Sequence, residues 1–584
     1  MAMAMHSQYV MVMEEESSVE KVTRDGSLVC VIVRHLTSAF DRHAASLVCK
    51  LWNDAVTWET ALLSVRSRTL FHLFPKRFSH VKTLSFLHCF DQVENGDLLL
   101  AASFFRRLQH LVIGHPESQQ QKITDDGISD SVRNFQNLRQ LTFCCLSNLT
   151  DAGFLAIIQN CRQLTSLSLT NCRNLTDEAL DALSNCKFLQ ELLLRGVFMF
   201  TSYGLSKIGE NCKGLLTVGL EFDSLDISLA LKSIAVNCQK IETLNLKFWN
   251  GNLSELSRLC SLICLHIEAD NRNNVDDAII NISASNRNLK EFTYFNRSAP
   301  LGEAATVAVL NNCKNLERFC IEASNLSDAA VLCLLHCKKL NSVILNQFYR
   351  EGKSFAELGQ SGVLKLKEIS VAFGRGIWEG NLETLIRANK WLEKINLQRC
   401  LDLSPIVFRA IAACKNLQHL DLGFTDVDDA SLAAIANSAN FLRHLSLVKC
   451  ESVSDMKVLS NFKALEYLNL DQCLFVNDEG LDFLAVGCSR LSDLSLASTG
   501  ITDTGVSYLA SCNLLRSLKI PYCRGVRGPG LVAISKSCCW LRYLVISHRL
   551  RHSEALVELK KHCCMVRLDI DDLSLVPFGF NVFR

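Results

Sequence analysis

An alternating hydrophobic pattern, L-x-x-L-x-L, recurs along almost the whole chain. It occurs twice within residues 161–194, as LTSLSL from Leu164 and LQELLL from Leu189. About 20 copies follow one another roughly 25 residues apart between Val81 and Met565. Because 584 residues exceed the usual size of one compact core, this period predicts an elongated array of small stacked units.

Each unit is predicted to contain a strand, a loop and a helix. The L-x-L alternation points two aliphatic side chains to one side of a short strand and the residues between them to the other. A Thr-Asp or Ser-Asp pair follows, as in NLTDEA from Asn174, and can cap a helix that is apolar at Leu180 and Leu183. This period and consensus are typical of leucine-rich repeats. They predict a right-handed α/β solenoid with a parallel sheet on its concave side and helices outside.

Composition narrows the class of protein. The 61 Lys and Arg residues almost balance the 60 Asp and Glu residues, so the chain offers no basic field for a nucleic acid. It has no apolar stretch long enough to span a membrane. The first 24 residues lack a basic leader followed by an apolar core, and we interpret them as a flexible tail rather than a signal peptide. We therefore expect a chain of the cytoplasm, the nucleus or both.

The 27 cysteines are an odd total, which disfavours a disulfide framework in a reducing compartment. Most of them fall on two positions of the repeat, so we predict that they pack as small buried groups whose S–H faces backbone carbonyls. One set lies eight residues after the first hydrophobic position of a strand: Cys89, Cys172, Cys400, Cys450, Cys473 and Cys523. The other set lies three residues before it: Cys161, Cys186, Cys212, Cys238, Cys313, Cys337, Cys414, Cys488, Cys512 and Cys538.

The cysteines have two alternative chemical roles, metal binding and catalysis. Cys333, His336 and Cys337 could share a helix face and bind zinc, but a structural zinc site needs four ligands and the sequence offers three. A catalytic thiol is the other alternative, although no single cysteine stands out from the repeat. We predict no metal site and no catalytic residue.

Residues 25–62 break the period and have apolar residues at helical spacing. Some 40 residues bury too little surface to be stable alone, so this segment is predicted to pack on the solenoid or on a partner. DRHAASLVCKLWNDAV, from Asp41 to Val56, resembles an F-box, although Asp25-Gly26-Ser27 stands where most F-boxes begin with Leu-Pro. The alternative is a helical cap that covers the first repeat. The candidate contact residues are Leu28, Ile32, Leu36, Leu47, Val48 and Trp52.

From about residue 25 to 570 the chain is similar to F-box/leucine-rich-repeat proteins. The resemblance implies four segments: a tail (1–24), an F-box-like helical domain (25–62), the solenoid (63–570) and a C-terminal cap (571–584). It also implies a non-catalytic substrate-recognition subunit of an SCF-type ubiquitin ligase. In such a subunit the F-box binds a Skp-type adaptor, and through it the cullin and RING subunits. The solenoid binds a target protein.

The residues that point outward from the strands are the candidate target-binding residues, since the leucines between them point inward. The mixture of polar and aromatic side chains suits a protein partner. Phe424, Phe475 and Tyr522 lie just past strands and could rim this face. The outward set is Lys394, Asn396, Gln398, His419, Asp421, His444, Tyr467, Asn469, Asp471, Asp493, Lys519 and Tyr543.

Two further functions stay open. LFPKRFSHVKTLSF, residues 73–86, together with the F-box-like segment resembles the jasmonate and auxin receptor branch, which implies a hormone coreceptor holding an inositol phosphate. The few bases at outward strand positions, such as Arg195 and Arg318, are spaced among acids and disfavour that cofactor. We expect no cofactor. A ligase-independent scaffold is the third possibility.

Overall fold

The computed structural model describes two units of the chain, Met1–Ser261 and Leu262–Arg584. The tail 1–24 lies outside the described residues, as does the F-box-like segment apart from Leu62. The described residues are 62–65, 71, 81–87, 93–114, 122–222, 225–248, 250–323, 326–348, 352–374, 380–401, 403–538, 541–550, 553–562 and 567–571.

In the first unit, strands alternate with helices, and each strand pairs in parallel with the next from β1 to β8. The strands are β1 (Leu62–Ser64), β2 (Thr83–Ser85), β3 (His110–Gly114), β4 (Gln140–Cys144), β5 (Ser166–Thr170), β6 (Glu191–Arg195), β7 (Thr217–Glu221) and β8 (Thr243–Lys247). The helices are α1 (Asn95–Phe104), α2 (Asp125–Val132), α3 (Asp151–Asn160), α4 (Asp177–Leu183), α5 (Ser202–Asn211) and α6 (Ser228–Asn237), followed by a 3₁₀ helix (Ser254–Arg258).

In the second unit the same alternation continues, with parallel pairing in chain order. The strands are β9 (Cys264–Ala269), β10 (Glu291–Asn296), β11 (Arg318–Glu322), β12 (Ser342–Asn346), β13 (Glu368–Ser370), β14 (Lys394–Asn396), β15 (His419–Asp421), β16 (His444–Ser446), β17 (Tyr467–Asn469), β18 (Asp493–Ser495), β19 (Ser517–Ile520), β20 (Tyr543–Ser547) and β21 (Arg567–Asp571).

The helices of the second unit are mostly short, and 3₁₀ turns replace or extend several of them. The α-helices are α7 (Asp276–Ser285), α8 (Glu303–Asn312), α9 (Asp328–Leu332), α10 (Lys353–Ser361), α11 (Asn381–Ala388), α12 (Pro405–Ala412), α13 (Asp429–Ala436), α14 (Asp478–Gly487), α15 (Asp503–Tyr508), α16 (Pro529–Ser537) and α17 (Glu554–His562). The 3₁₀ helices are Cys333–His336, Met456–Asn461, Leu509–Ser511 and His548–Leu550.

The strand leucines form the core that the repeat predicts. Leu167 and Leu169 of β5 are at most 1% exposed, whereas Ser166, Ser168 and Thr170 between them are half-buried on the opposite face. Successive leucines lie in register from strand to strand, so each repeat completes the core of its neighbour. The α/β solenoid and the parallel sheet are therefore confirmed.

In the structure the array of repeats begins one strand earlier than the sequence pattern predicted. Strand β1 pairs with β2 and lies upstream of the copy at Val81. Leu63 and Val65 keep the L-x-L alternation, but Thr60 stands where the pattern has its first apolar residue, which is why the pattern missed this strand. This strand spans the predicted boundary between residues 62 and 63.

The Thr-Asp pairs cap helices as predicted and also join repeats. The Thr150 hydroxyl accepts from the Ala152 N–H at the start of α3 (3.3 Å). The next residue, Asp151, accepts from the Thr176 N–H (2.9 Å) and hydroxyl (2.7 Å) one repeat later. Asp478 and Thr502 repeat this geometry in the second unit. Each aspartate thus stabilises its own helix terminus and the following turn.

The cysteines in both repeat positions lie in the core. After a strand, the Cys473 thiol donates to the Leu447 carbonyl (2.9 Å), and Cys450 donates to Leu422 (3.1 Å). Before a strand, Cys337 donates to the Leu310 and Cys313 carbonyls (both 3.4 Å). The packing role is therefore confirmed for the positions that the structure describes. Cys89 lies outside the described residues.

Candidate functional site

Burial makes the core cysteines unreactive. It raises the pKa of Cys172 and of Cys400 to about 12, so both thiols stay protonated near neutral pH. Within the described ranges, every cysteine is a free thiol and no three His, Cys, Asp or Glu side chains come together as a metal site. Of the possible zinc ligands, Cys337 points into the core and the Cys333 thiol donates to the Ala329 carbonyl (3.7 Å).

The open sheet face consists of the strand residues that alternate with the core leucines. On β14 to β18 its first row lies in direct register across the strands. The row continues to Ser517 and Tyr543 on β19 and β20. Because parallel strands lie about 4.8 Å apart, neighbouring side chains of this row lie within reach of one another. The members on β14 to β18 are Lys394, His419, His444, Tyr467 and Asp493.

Three rings in this row form a continuous stack. The His419 and His444 ring centroids are 4.1 Å apart with 13° between the planes. The His444 and Tyr467 centroids are 5.7 Å apart at 28°. All three side chains are half-buried, so one edge of the stack faces the open side of the sheet. The sequence placed these residues on this face, and the structure adds their mutual contact.

The pKa of His419 is lowered to about 4, mainly by burial and further by the neighbouring His444 and Lys394. Burial also lowers the pKa of His444, although Glu466 opposes this effect. Both imidazoles are therefore neutral near neutral pH, since the neutral form is favoured where water is excluded and cations are near. The His-His-Tyr stack offers flat aromatic surfaces with polar edges, which suits contact with protein side chains.

The second row of candidate residues, Asn396, Asp421 and Asn469, accepts hydrogen bonds from backbone N–H groups. The Asn396 Oδ1 accepts from the Gln398 N–H (2.9 Å), and the Asn469 Oδ1 accepts from the Asp471 N–H (2.9 Å). The Asp421 Oδ1 accepts from the Gly423 N–H (2.9 Å), and burial raises the pKa of this carboxyl. These oxygens fix the turn after each strand and are less available to a partner than the first row.

Other candidate acids are also engaged. The Asp471 Oδ1 accepts from the Ser495 hydroxyl and the Ala497 N–H, both at 2.7 Å. Burial raises the pKa of Asp471. Asp493 accepts from the neighbouring Ser492 hydroxyl. The carboxylates of this region therefore accept hydrogen bonds from within the sheet and its turns.

A third row lies three residues beyond each of the strands β13 to β16, and the sequence predicted only part of it. Phe373, Arg399, Phe424 and Lys449 follow β13 to β16 with φ of 62°, 58°, 60° and 51°. Each backbone N–H donates to a carbonyl of the next repeat, which holds the turn in the left-handed conformation. Tyr522, another predicted rim residue, occupies the same position after β19, whereas Phe475 lies farther along the loop after β17.

Cations and rings alternate along this third row. The Arg399 guanidinium lies 4.3 Å from the Phe424 ring centroid and 5.3 Å from that of Phe373. The Lys449 ammonium lies 5.8 Å from the Phe424 centroid. The sequence reasoning missed Phe373, Arg399 and Lys449. Each of them lies one residue before the post-strand cysteine or the residue at its position in the repeat. This fixed position in the sequence could have identified them.

Farther along, Lys519 lies over the Tyr543 ring, with 5.8 Å from its ammonium to the ring centroid. In the first unit, the side chain of Ser166 on the open face donates to the Glu191 carboxylate (2.7 Å). The mixed polar and aromatic character that the sequence indicated is therefore present, but much of it is internally hydrogen-bonded.

Two shallow pits interrupt the open sheet face. One, of about 210 Å³, surrounds an ion pair of Arg318 and Glu368 whose nitrogen and oxygen are 2.6 Å apart. The other, of about 230 Å³, lies beside Gly219 and an ion pair of Arg195 and Glu221, also at 2.6 Å. Arg195 and Arg318, which the sequence placed on this face, are thus each paired with a carboxylate.

The predicted adaptor-binding residues all lie outside the described residues, so their roles stay predictions. They are Leu28, Ile32, Leu36, Leu47, Val48 and Trp52. Among the helices that the structure describes, none combines the length and apolar character needed to cross a bilayer.

Comparison with known families and proteins supports the repeat class. The family model described as Leucine Rich repeat matches residues 160–184, 413–436 and 487–510. F-box/LRR-repeat protein 4 of Bos taurus is 34% identical over 110 residues, which cover 18% of each chain. F-box/LRR-repeat protein 12 of Arabidopsis thaliana is 29% identical over 146 residues, covering 24% of this chain and 35% of that protein. The matches thus span well under half the length of either relative.

Solved structures with similar repeats are distant. An internalin from Listeria monocytogenes is 17% identical with a TM-score of 0.37, covering 63% of this chain and 93% of that one. A leucine-rich-repeat protein from Leptospira interrogans is 15% identical with a TM-score of 0.35, covering 87% and 99%. The repeats and the parallel sheets give the chain a leucine-rich-repeat fold. The two curated proteins above, which it matches over part of their length, are both named F-box/LRR-repeat proteins.

Proposed function

We propose that the chain is the substrate-recognition subunit of an SCF-type ubiquitin ligase. Residues 25–62 would bind a Skp-type adaptor, and the open sheet face would bind a target protein. The observation that carries this proposal is the F-box-like string joined to the repeats, together with relatives that are named F-box/LRR-repeat proteins. The chain itself would perform no covalent step, because its contribution is to hold the target near the ubiquitin-charged enzyme.

Adaptor binding tests the first half of the proposal. The purified full chain is expected to coprecipitate a recombinant Skp-type adaptor, and a Leu47→Ala/Trp52→Ala variant is expected to lose it. Trp391→Ala is the matched control, because Trp391 is 54% exposed on a loop of the repeat array. A folded wild-type chain that fails to bind the adaptor would contradict the proposal and favour the scaffold alternative.

The His-His-Tyr stack tests the second half, since flat, half-buried rings are frequent anchors in protein interfaces. Proximity labelling with the proteasome inhibited is expected to enrich proteins that a His444→Ala/Tyr467→Ala variant no longer labels. Ubiquitination of such a protein by the assembled ligase should fall with the same variant. Equal labelling by both chains would exclude this part of the face from target binding.

The hormone-coreceptor alternative gains no support from the open face. Arg195 and Arg318 are paired with Glu221 and Glu368, so phosphate binding would first have to break two ion pairs. Mass spectrometry of the intact purified chain would detect a retained inositol phosphate, and its presence would revive this alternative.

A further inference from the structure

The third row of the open sheet face, which we name the cation-aromatic edge, consists of Phe373, Arg399, Phe424 and Lys449. These residues end four successive repeats. All four occupy a left-handed backbone conformation that glycine adopts easily and other residues rarely do. The turns after β13 to β16 nevertheless carry long side chains at this position. The edge therefore has a regular, backbone-fixed spacing.

Arg399 is positioned by ring contacts and not by an ion pair. Its guanidinium faces Phe424 at 4.3 Å and Phe373 at 5.3 Å. Contact with ring faces uses no acceptor, so the N–H groups of the guanidinium can still donate to a carboxylate. In the part of the chain that the structure describes, neither Arg399 nor Lys449 forms an ion pair.

Two described acids of this region, Asp421 and Asp471, are hydrogen-bonded within the sheet. Asp421 accepts from the Gly423 N–H, and Asp471 accepts from the Ser495 hydroxyl and the Ala497 N–H. Burial also raises the pKa of both carboxyls. The edge presents two positive charges that alternate with two apolar rings.

We infer that the cation-aromatic edge binds an acidic peptide segment whose carboxylates alternate with apolar side chains. This inference rests on the proposed function, because the segment would belong to the target protein. Carboxylates would accept hydrogen bonds from Arg399 and Lys449, and the apolar side chains would pack on Phe373 and Phe424.

The spacing sets the length of the segment. Arg399 and Lys449 follow strands that are two positions apart, or about 10 Å, which corresponds to roughly three residues of extended peptide. The whole edge spans three inter-strand gaps, or about 14 Å, so four or five residues cover it. A nucleic acid fits less well, because two cations are few for a phosphate backbone and the chain carries a net charge of only +1.

Fluorescence anisotropy of the full chain with a labelled peptide tests the inference. The probe carries a core of Asp, Leu, Glu, Phe and Asp, and its comparison peptide has Asn and Gln in place of the acids. The acidic probe is expected to bind roughly tenfold more tightly than the neutral one, and the difference should shrink at high salt. Equal affinity of the two peptides would overturn the inference. Tighter binding of a single-stranded oligonucleotide of similar length would also overturn it.

An Arg399→Gln/Lys449→Gln variant is expected to lose roughly tenfold in affinity for the acidic probe. The matched control, Arg409→Gln/Lys415→Gln, removes the same charge from exposed positions in and just beyond helix α12 and should bind like the wild type. Equal loss in both variants would show a general charge effect and contradict a defined edge. Circular dichroism and the melting temperature verify that each variant is folded.

Adaptor binding separates the two proposals. A chain that coprecipitates the adaptor but does not prefer the acidic probe retains the proposed function and loses this inference. A chain that binds the probe through Arg399 and Lys449 but does not bind the adaptor retains the edge as a peptide site and loses the ligase assignment.

Discussion

Two arginines at the ends of strands meet opposite surroundings. Arg195 in the first unit lies opposite Glu221 on the next strand, and the two form an ion pair at 2.6 Å. Arg399 in the second unit has Phe373 one repeat before it and Phe424 one repeat after it. In a solenoid, the residue at the same position of the neighbouring repeat thus decides whether a positive charge is neutralised or remains available to a partner.

The core beneath both regions is the same, and truncating it should give the largest effect. Leu192→Ala and Leu420→Ala remove side chains that are 1% and 2% exposed, so each should cost about 2 to 5 kcal/mol in the free energy of local unfolding. Hydrogen exchange measures this loss repeat by repeat. Leu474→Ala is the control, because Leu474 is 85% exposed and should change stability by less than about 0.5 kcal/mol. If the two core variants lost very different amounts of unfolding free energy, the cores of the two units would not be equivalent.

The aspartates that join repeats should give the next largest effect. Asp151→Ala and Asp478→Ala each remove two hydrogen bonds to the following Thr, so each should cost about 1 to 3 kcal/mol. Urea denaturation followed by circular dichroism measures the loss. Glu178→Ala changes an exposed acid in the first turn of α4 and should be nearly neutral. If all three variants are equally stable, the aspartates serve their own helices only.

The histidine stack should make the stability of the second unit depend on pH. The folded-state pKa of His419 is about 4, below the ordinary value of 6.5, so the unfolded chain binds this proton more strongly. Its contribution to stability is therefore fully present above pH 6.5 and is lost as the pH falls from there toward 4. NMR titration should give a midpoint near 4, and His419→Gln should flatten the decline in stability over this range. A midpoint near 6.5 would contradict the buried stack.

Breaking the ion pair in the first unit should give the smallest effect on stability. Glu221→Gln removes a partly exposed pair, so its cost should stay below about 1 kcal/mol. The same change leaves Arg195 without its partner. Anisotropy with the acidic probe should then show a small gain in affinity, because Arg195 becomes available in addition to Arg399 and Lys449. No gain would indicate that the rings beside Arg399, and not charge alone, are needed for binding.

Much of the architecture could be predicted from local pattern. The strands, the caps at Thr150 and Thr502 and the buried cysteines all follow from residue type at a fixed interval. The candidate site was harder, because alternation tells which way a side chain points but not what it contacts. His419 and Asp421 both face outward, yet one stacks on His444 and the other accepts a backbone N–H.

The sequence by itself determined the repeat, its period and the separation of core leucines from the residues between them, since those follow from short-range geometry. Only the tertiary structure decided which side chains become neighbours, because contacts in a solenoid join residues about 25 positions apart. It paired Arg195 with Glu221 and placed Arg399 between two phenylalanines. Register across repeats, and not composition, made one arginine part of the scaffold and the other a candidate for recognition.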